Sequence, residues 1–262
     1  MADIQLKLGA EFPEPSLETW RELAVASLKG ASFEKVLVSS LFDGIKLQPL
    51  YTVEDLEADS RSIHEVMVAS WAHPGSWGIR QLHRHPDPAF TNRALLADLE
   101  NGADSLLIEF DSASRHGRLA ADETAGEAGV MLYCLEDVKL ALDGFHFSMA
   151  AIGIEAGTAA IPAAALLAAA AAEVADSARL ELNLDPLGNL ASTGFLPRDI
   201  ESSLAELGQV ALDVSRQYPL ATMVRVNTTR WSDAGATDGT ELAIAVASGV
   251  VYLRTMVEAG MS

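Results

Sequence analysis

Asp111, Asn183, Asp185, Asn227 and Arg230 are the residues of this chain best placed to do chemistry, because each stands at or just past the end of an apolar run that reads as a buried strand. In a parallel sheet such ends share one edge, so side chains distant in sequence converge there. A carboxylate and an arginine in that setting can grip a polar ligand, or they can form an ion pair that satisfies buried charge. Both readings stay open for Asp111 and Arg230. His64, His73, His83 and His85 crowd one stretch. His83 and His85 would share one face of a strand, yet a tetrahedral zinc site needs further ligands at defined spacing, so solvated loop histidines are the simpler reading. No metal site is predicted. His116 also follows a strand and reads as a polar loop residue. Gly153 to Gly157 offers backbone donors ahead of a helix, without the lysine of a phosphate loop. The chain has no Gly-x-Ser-x-Gly, and its single cysteine, Cys134, has no catalytic partner in view.

Positioning these residues requires alternating strands and helices. A helix from Ser16, its N-cap, through Leu28 opens the readable pattern. Val36 to Val38 and Phe42 to Tyr51 read as extended, with Asp43-Gly44 turning a hairpin and Pro49 ending or edging its second strand. Beyond Val66, strands are expected over Trp77 to Leu82, Ser105 to Asp111, Phe145 to Ile152, Leu180 to Asp185 and Met223 to Asn227. Between them fall helices over Thr91 to Glu100, around Leu132 to Leu142, through an alanine-rich run to about Asp176, and over Ile200 to Tyr218. A last helix covers Gly239 to Glu258, and residues 186–193 read as a loop. Repeated βα units with strands apolar on both faces predict an α/β fold, a parallel sheet covered by helices. About five units leave sheet edges at the first and fifth strands. We therefore expect a homodimer, a separately encoded remainder, or cover from the N-terminal segment.

Acidic residues outnumber basic ones 37 to 18, for a formal net charge of −19. That excess repels phosphate backbones and anionic membrane surfaces, so neither nucleic acid nor membrane is an expected partner. At 262 residues, 49% of them apolar, the chain can bury a substantial core. A lone cysteine and an N-terminus without an apolar signal core fit a reducing cytoplasm. The alanine-rich segment from Ala156 to Val174 is interrupted by Pro162 and reads as a helix packed closely on a sheet rather than a membrane span.

Several short segments stand in a telling order. They are Asp43-Gly44-Ile45 through Pro49-Leu50-Tyr51-Thr52, Trp77-Gly78-Ile79-Arg80-Gln81, Asn101-Gly102-Ala103-Asp104-Ser105-Leu106, and Phe110-Asp111-Ser112-Ala113 leading to Gly117. Ala234-Gly235-Ala236-Thr237 and Tyr252-Leu253-Arg254 close the series. This succession resembles the methylmalonyl-CoA mutase family. The resemblance implies a (β/α)8 TIM barrel, incomplete here at about five βα units, which the family follows with a flavodoxin-like cobalamin-binding domain. By the same likeness, residues 1–60 would be an N-terminal extension and residues 61–262 the partial barrel domain.

Catalytic members of that family use adenosylcobalamin and place hydrogen-bond donors around a thioester carbonyl. The resemblance assigns those donors to four positions, and this chain departs at each. Glu57 to Ser70 lacks the family's tyrosine segment, and Asn183 stands where the family has glutamine. Residues 186–193 hold no arginine, and Arg230 occupies the histidine position. The cobalt-ligating Asp-x-His-x-x-Gly is absent from these 262 residues. Such departures resemble the small, non-catalytic subunit of heterodimeric mutases, whose Leu-Asp-Pro strand end is close to Leu184-Asp185-Pro186. The likeness thus implies an accessory or scaffold component of an acyl-CoA mutase, with adenosylcobalamin held by a partner. That partner would be a cobalamin-binding large subunit or a chain completing the barrel. The alternative is a degenerate enzyme or binding protein that takes an acyl-CoA or related small molecule through Arg230 and Asn183.

Overall fold

The computed structural model describes residues 16–55 and 78–261. His64, His73, Trp77, the stretch Glu57 to Ser70 and the expected boundary at residue 60 lie outside the described residues. The chain divides into two compact units, residues 1–74 and 75–262.

In the first unit, Ser16 caps helix α1 (Leu17–Ser27), its hydroxyl accepting from the Thr19 N–H at 3.1 Å. Helix α2 (Phe33–Val36) follows, and the Phe33 ring meets Trp20 edge-on at 6.3 Å. Val36 therefore closes a helical turn instead of opening a strand. Ser32 ahead of Glu34 is a helix-starting pattern, and it prevails over the short apolar run that follows. Strands β1 (Ser39–Ser40) and β2 (Lys46–Leu47) pair antiparallel around Asp43-Gly44, where Gly44 takes φ +78°. No described residue of this unit is buried, and Phe42 is fully exposed.

The second unit is a five-stranded parallel sheet. Its strands β3 (Arg80–His83), β4 (Ser105–Glu109), β5 (Ala151–Glu155), β6 (Leu180–Leu184) and β7 (Thr222–Val224) lie side by side in chain order. Sequential order with right-handed crossovers puts the connecting helices on one face. The helices of this unit are α3 (Pro88–Glu100), α4 (Ser112–Arg115), α5 (Leu135–Ala141), α6 (Ala160–Ala170), α7 (Pro186–Thr193) and α8 (Ile200–Gln217) between strands, and α9 (Thr229–Asp233) and α10 (Asp238–Glu258) after the last one. Strand alternation then decides burial. Leu106 and Ile108, Ile152 and Ile154, and Leu180, Leu182 and Leu184 are buried in the core, each contributing about 1.5–3 kcal/mol. Ser105, Leu107, Glu109, Gly153, Glu155, Glu181 and Asn183 hold the alternate positions, on the face away from those helices.

The alanine-rich helix α6 buries Ala160, Ala163, Ala164 and Leu167, small side chains that let it sit close to β5 and β6. The strand expected from Phe145 begins only at Ala151. Gly144 at φ +74° leads into a turn in which the Met149 N–H donates to the His146 carbonyl at 2.9 Å, and Phe145 and Phe147 meet edge-on at 5.1 Å. Residues 186–193 form a helix and not the expected loop, because Asp185 caps it and Pro186 pre-sets its first turn. Helix α10 is the one described helix long and apolar enough to cross a membrane. It packs on α8, where Gly208 permits close approach, and leaves Leu242, Val246, Leu253 and Val257 exposed.

Candidate functional site

All five strands of the parallel sheet deliver their C-terminal ends to one edge. Two aspartates just past strand ends anchor that edge. Asp111 is fully buried and caps α4, one oxygen accepting from the Ser114 N–H at 3.0 Å. Its other oxygen accepts from the Gly126 N–H at 2.7 Å and the Tyr133 hydroxyl at 2.5 Å. Burial alone would raise its pKa, but the hydrogen bonds from Ser114, Tyr133 and Gly126 outweigh burial and hold the carboxyl below the ordinary aspartate value. Burial, reinforced by Asp111, pushes the Tyr133 phenol up to about 12.

A group more acidic in the folded than in the unfolded chain contributes its full stability above the unfolded value, about pH 4, and loses it as pH falls through the folded value. Asp111→Asn, which cannot ionise, should therefore be less stable than the parent near neutrality, and the gap should shrink in acid. Urea unfolding of both proteins between about pH 6 and about pH 3 reads this difference. A gap independent of pH would contradict the assignment.

Asp185 plays the corresponding part after β6. One oxygen accepts from the Gly188 N–H at 3.0 Å and from the Tyr252 hydroxyl at 2.5 Å, while the other accepts from the Asn227 N–H at 3.3 Å. The Leu187 N–H donates to the same Tyr252 hydroxyl at 3.0 Å. Burial and the neighbouring Asp185 carboxylate raise the Tyr252 pKa, so the phenol stays protonated and donates. This cluster ties the ends of β6 and β7 and the start of α7 to the middle of α10.

At the same edge lies a cleft of about 490 Å³ whose lining includes Arg84, Glu109, Arg115, Glu155, Arg225 and Arg230. Glu109 and Glu155 are register partners on adjacent strands. Such neighbours would repel unless each were matched by cations. Glu109 accepts from Arg84 Nε and pairs with Arg115 Nη1 at 2.6 Å. Glu155 pairs with Arg225 and, at 3.4 Å, with Arg230. Lower on the same face, Arg80 bridges Glu181 and donates to the Ser105 hydroxyl at 2.8 Å.

Of the residues singled out from sequence, Asp185 and Asn227 meet directly, and Arg230 joins the cleft, where it also donates to Asn189 at 3.3 Å. Asn183, at φ +50°, donates its side-chain amide to the Ile154 carbonyl at 3.0 Å. Asp111 lies with α4 and Tyr133, separate from the Asp185 cluster. His83 is buried with Nε2 at 3.5 Å from Asp98, burial holding its pKa down, whereas the His85 ring stacks on Phe90 at 3.9 Å. His116 reaches the Ser112 carbonyl at 2.7 Å. Among the described residues no group of three metal-ligating side chains converges. Arg84, Glu109, Arg115, Glu155 and Arg225 were not anticipated. Their signal was a glutamate closing two otherwise apolar strands, Leu106-Leu107-Ile108-Glu109 and Ile152-Gly153-Ile154-Glu155.

An open parallel sheet wound in chain order, with its polar residues gathered at the C-terminal edge, is the architecture of a partial (β/α) barrel. Sequence comparison agrees, matching residues 41–262 to the methylmalonyl-CoA mutase family. The chain is 33% identical to the methylmalonyl-CoA mutase small subunit of Streptomyces virginiae, over 100% of this chain and 41% of the relative. It is 29% identical to the small subunit of Propionibacterium freudenreichii subsp. shermanii, over 98% of this chain and 40% of the relative. The large subunit of Porphyromonas gingivalis is 26% identical over 83% of this chain and 32% of its own length. The chain belongs to the methylmalonyl-CoA mutase family. It spans about two fifths of the length of the small-subunit relatives it matches.

Proposed function

We propose that this chain contributes a non-catalytic, barrel-forming scaffold to an adenosylcobalamin-dependent acyl-CoA mutase, in association with a cobalamin-binding large subunit. One observation carries the proposal: the carboxylates at the active edge are already engaged by neighbouring groups. Glu109 is held by Arg84 and Arg115, Glu155 by Arg225 and Arg230, and Asp111 and Asp185 by backbone N–H groups and tyrosines. A general acid or base must be able to exchange a proton with substrate, which these saturated groups are not placed to do. Similarity to two proteins named as small subunits supports the same reading.

His83 is buried against Asp98, His85 is stacked on Phe90 and His116 is bonded to its own helix. On this reading adenosylcobalamin is held by the partner chain. The experiment that tests the proposal is association of this chain with the large mutase subunit of its organism, followed by sedimentation.

A further inference from the structure

The charge balance of the cleft runs against that of the chain. Acidic residues outnumber basic ones 37 to 18 overall, whereas in the cleft four arginines face two glutamates. Two guanidiniums would neutralise Glu109 and Glu155, so two positive charges remain over. Glu241 reaches the rim only through the Thr228 hydroxyl, and Asp185 is taken up by Tyr252 and backbone N–H groups.

The donors are also incompletely used. The Arg84 side chain is 59% exposed and, among the described residues, bonds only through Nε, to Glu109. Arg84 lines the cleft, and its two terminal nitrogens have no hydrogen-bond partner among the described residues. Arg115 Nε is buried and has no partner among the described residues. Within the same cleft the pKa of Arg225 is lowered, chiefly by burial and then by the neighbouring Arg230 and Arg80. An anion bound in the cleft would offset the like charge of its arginines.

We infer that this arginine-lined cleft binds a compact dianion of the phosphate type. The planar guanidinium fork matches phosphate oxygens two at a time, and four arginines lining one cleft can converge on a tetrahedral group. At about 490 Å³ the cleft has room for the organic part of a phosphate monoester as well as for free phosphate. The inference is independent of the scaffold reading, since subunit association is measured separately and survives a failure here.

Calorimetric titration of the full chain with inorganic phosphate, at ionic strength matched with chloride, tests it. The expected result is saturable one-to-one binding, weakened about tenfold or more by either Arg84→Gln or Arg230→Gln. Arg198→Gln, on a side chain outside this cleft that lies 3.9 Å from Glu206, should leave affinity unchanged. Arg84 is exposed enough that its variant should fold, so it decides the matter if Arg230→Gln does not. Tighter binding of phenyl phosphate than of inorganic phosphate would assign the site to a monoester, and equal binding would assign it to the free ion. Heats no larger than those with chloride, or undiminished binding in the cleft variants that fold, would overturn the inference.

Discussion

Asp185→Ala is expected to destabilise the chain by about 3–5 kcal/mol, close to the range for losing one partner of a buried charged cluster. The side chain is 6% exposed and accepts from Gly188, Tyr252 and Asn227, which belong to three different elements or their junctions. Removing it strands the buried Tyr252 hydroxyl without an acceptor and uncaps α7. Tyr252→Phe, which deletes only the bridging hydroxyl, should cost about 1–3 kcal/mol. Because the two groups touch, their effects should not add, and the double variant should be less destabilised than the sum. Urea denaturation of the three variants measures all of this. A loss below about 1 kcal/mol for Asp185→Ala would show that the cluster does not hold the strand ends together.

Gly129→Ala should be nearly as damaging, for a steric reason. A methyl group there would collide with the Phe110 carbonyl and lie 2.6 Å from the Asp111 nitrogen, all of them backbone atoms. That backbone has little freedom to retreat. The Phe110 N–H donates to the Glu155 carbonyl at 2.9 Å, the Val130 N–H to the Glu109 carbonyl at 2.8 Å, and the Asp111 N–H to the Val130 carbonyl at 3.0 Å. We expect a loss of more than about 3 kcal/mol, with Glu109 and its arginines displaced as the segment shifts. Gly249 provides the contrast. It lies within α10 with nothing inside 4 Å of an added methyl group, so Gly249→Ala should stabilise by about 0.5–1 kcal/mol. Thermal unfolding that ranks the two substitutions the other way would refute the packing described around Phe110.

Much of this architecture can be read from the sequence because apolar segments of strand length alternate with helical patterns. Ser105 to Glu109 reads as a near-continuous apolar run, whereas Leu180 to Leu184 alternates leucine with Glu181 and Asn183. Their ends place Asp111 and Asp185 at the sheet edge by topology alone. Phe145-His146-Phe147 misleads because its alternation imitates a strand, while the positive φ of Gly144 and the edge-on aromatic pair make it a turn. The helix after Asp185 was signalled by Asp-Pro followed at its end by Gly194 in the left-handed region, a local pattern that a loop reading overlooks. The arginine cleft is harder to foresee. Arg84, Arg115, Arg225 and Arg230 come from three separate βα units, and only the register of Glu109 beside Glu155 brings them to one place.

Sedimentation velocity of the full chain, alone and mixed with the cobalamin-loaded large mutase subunit of its organism, tests the scaffold assignment most directly. The prediction is a faster species containing both chains, formed at a fixed ratio and absent from either component by itself. If this chain sediments unchanged beside every cobalamin-dependent mutase large subunit its organism makes, the assignment is contradicted.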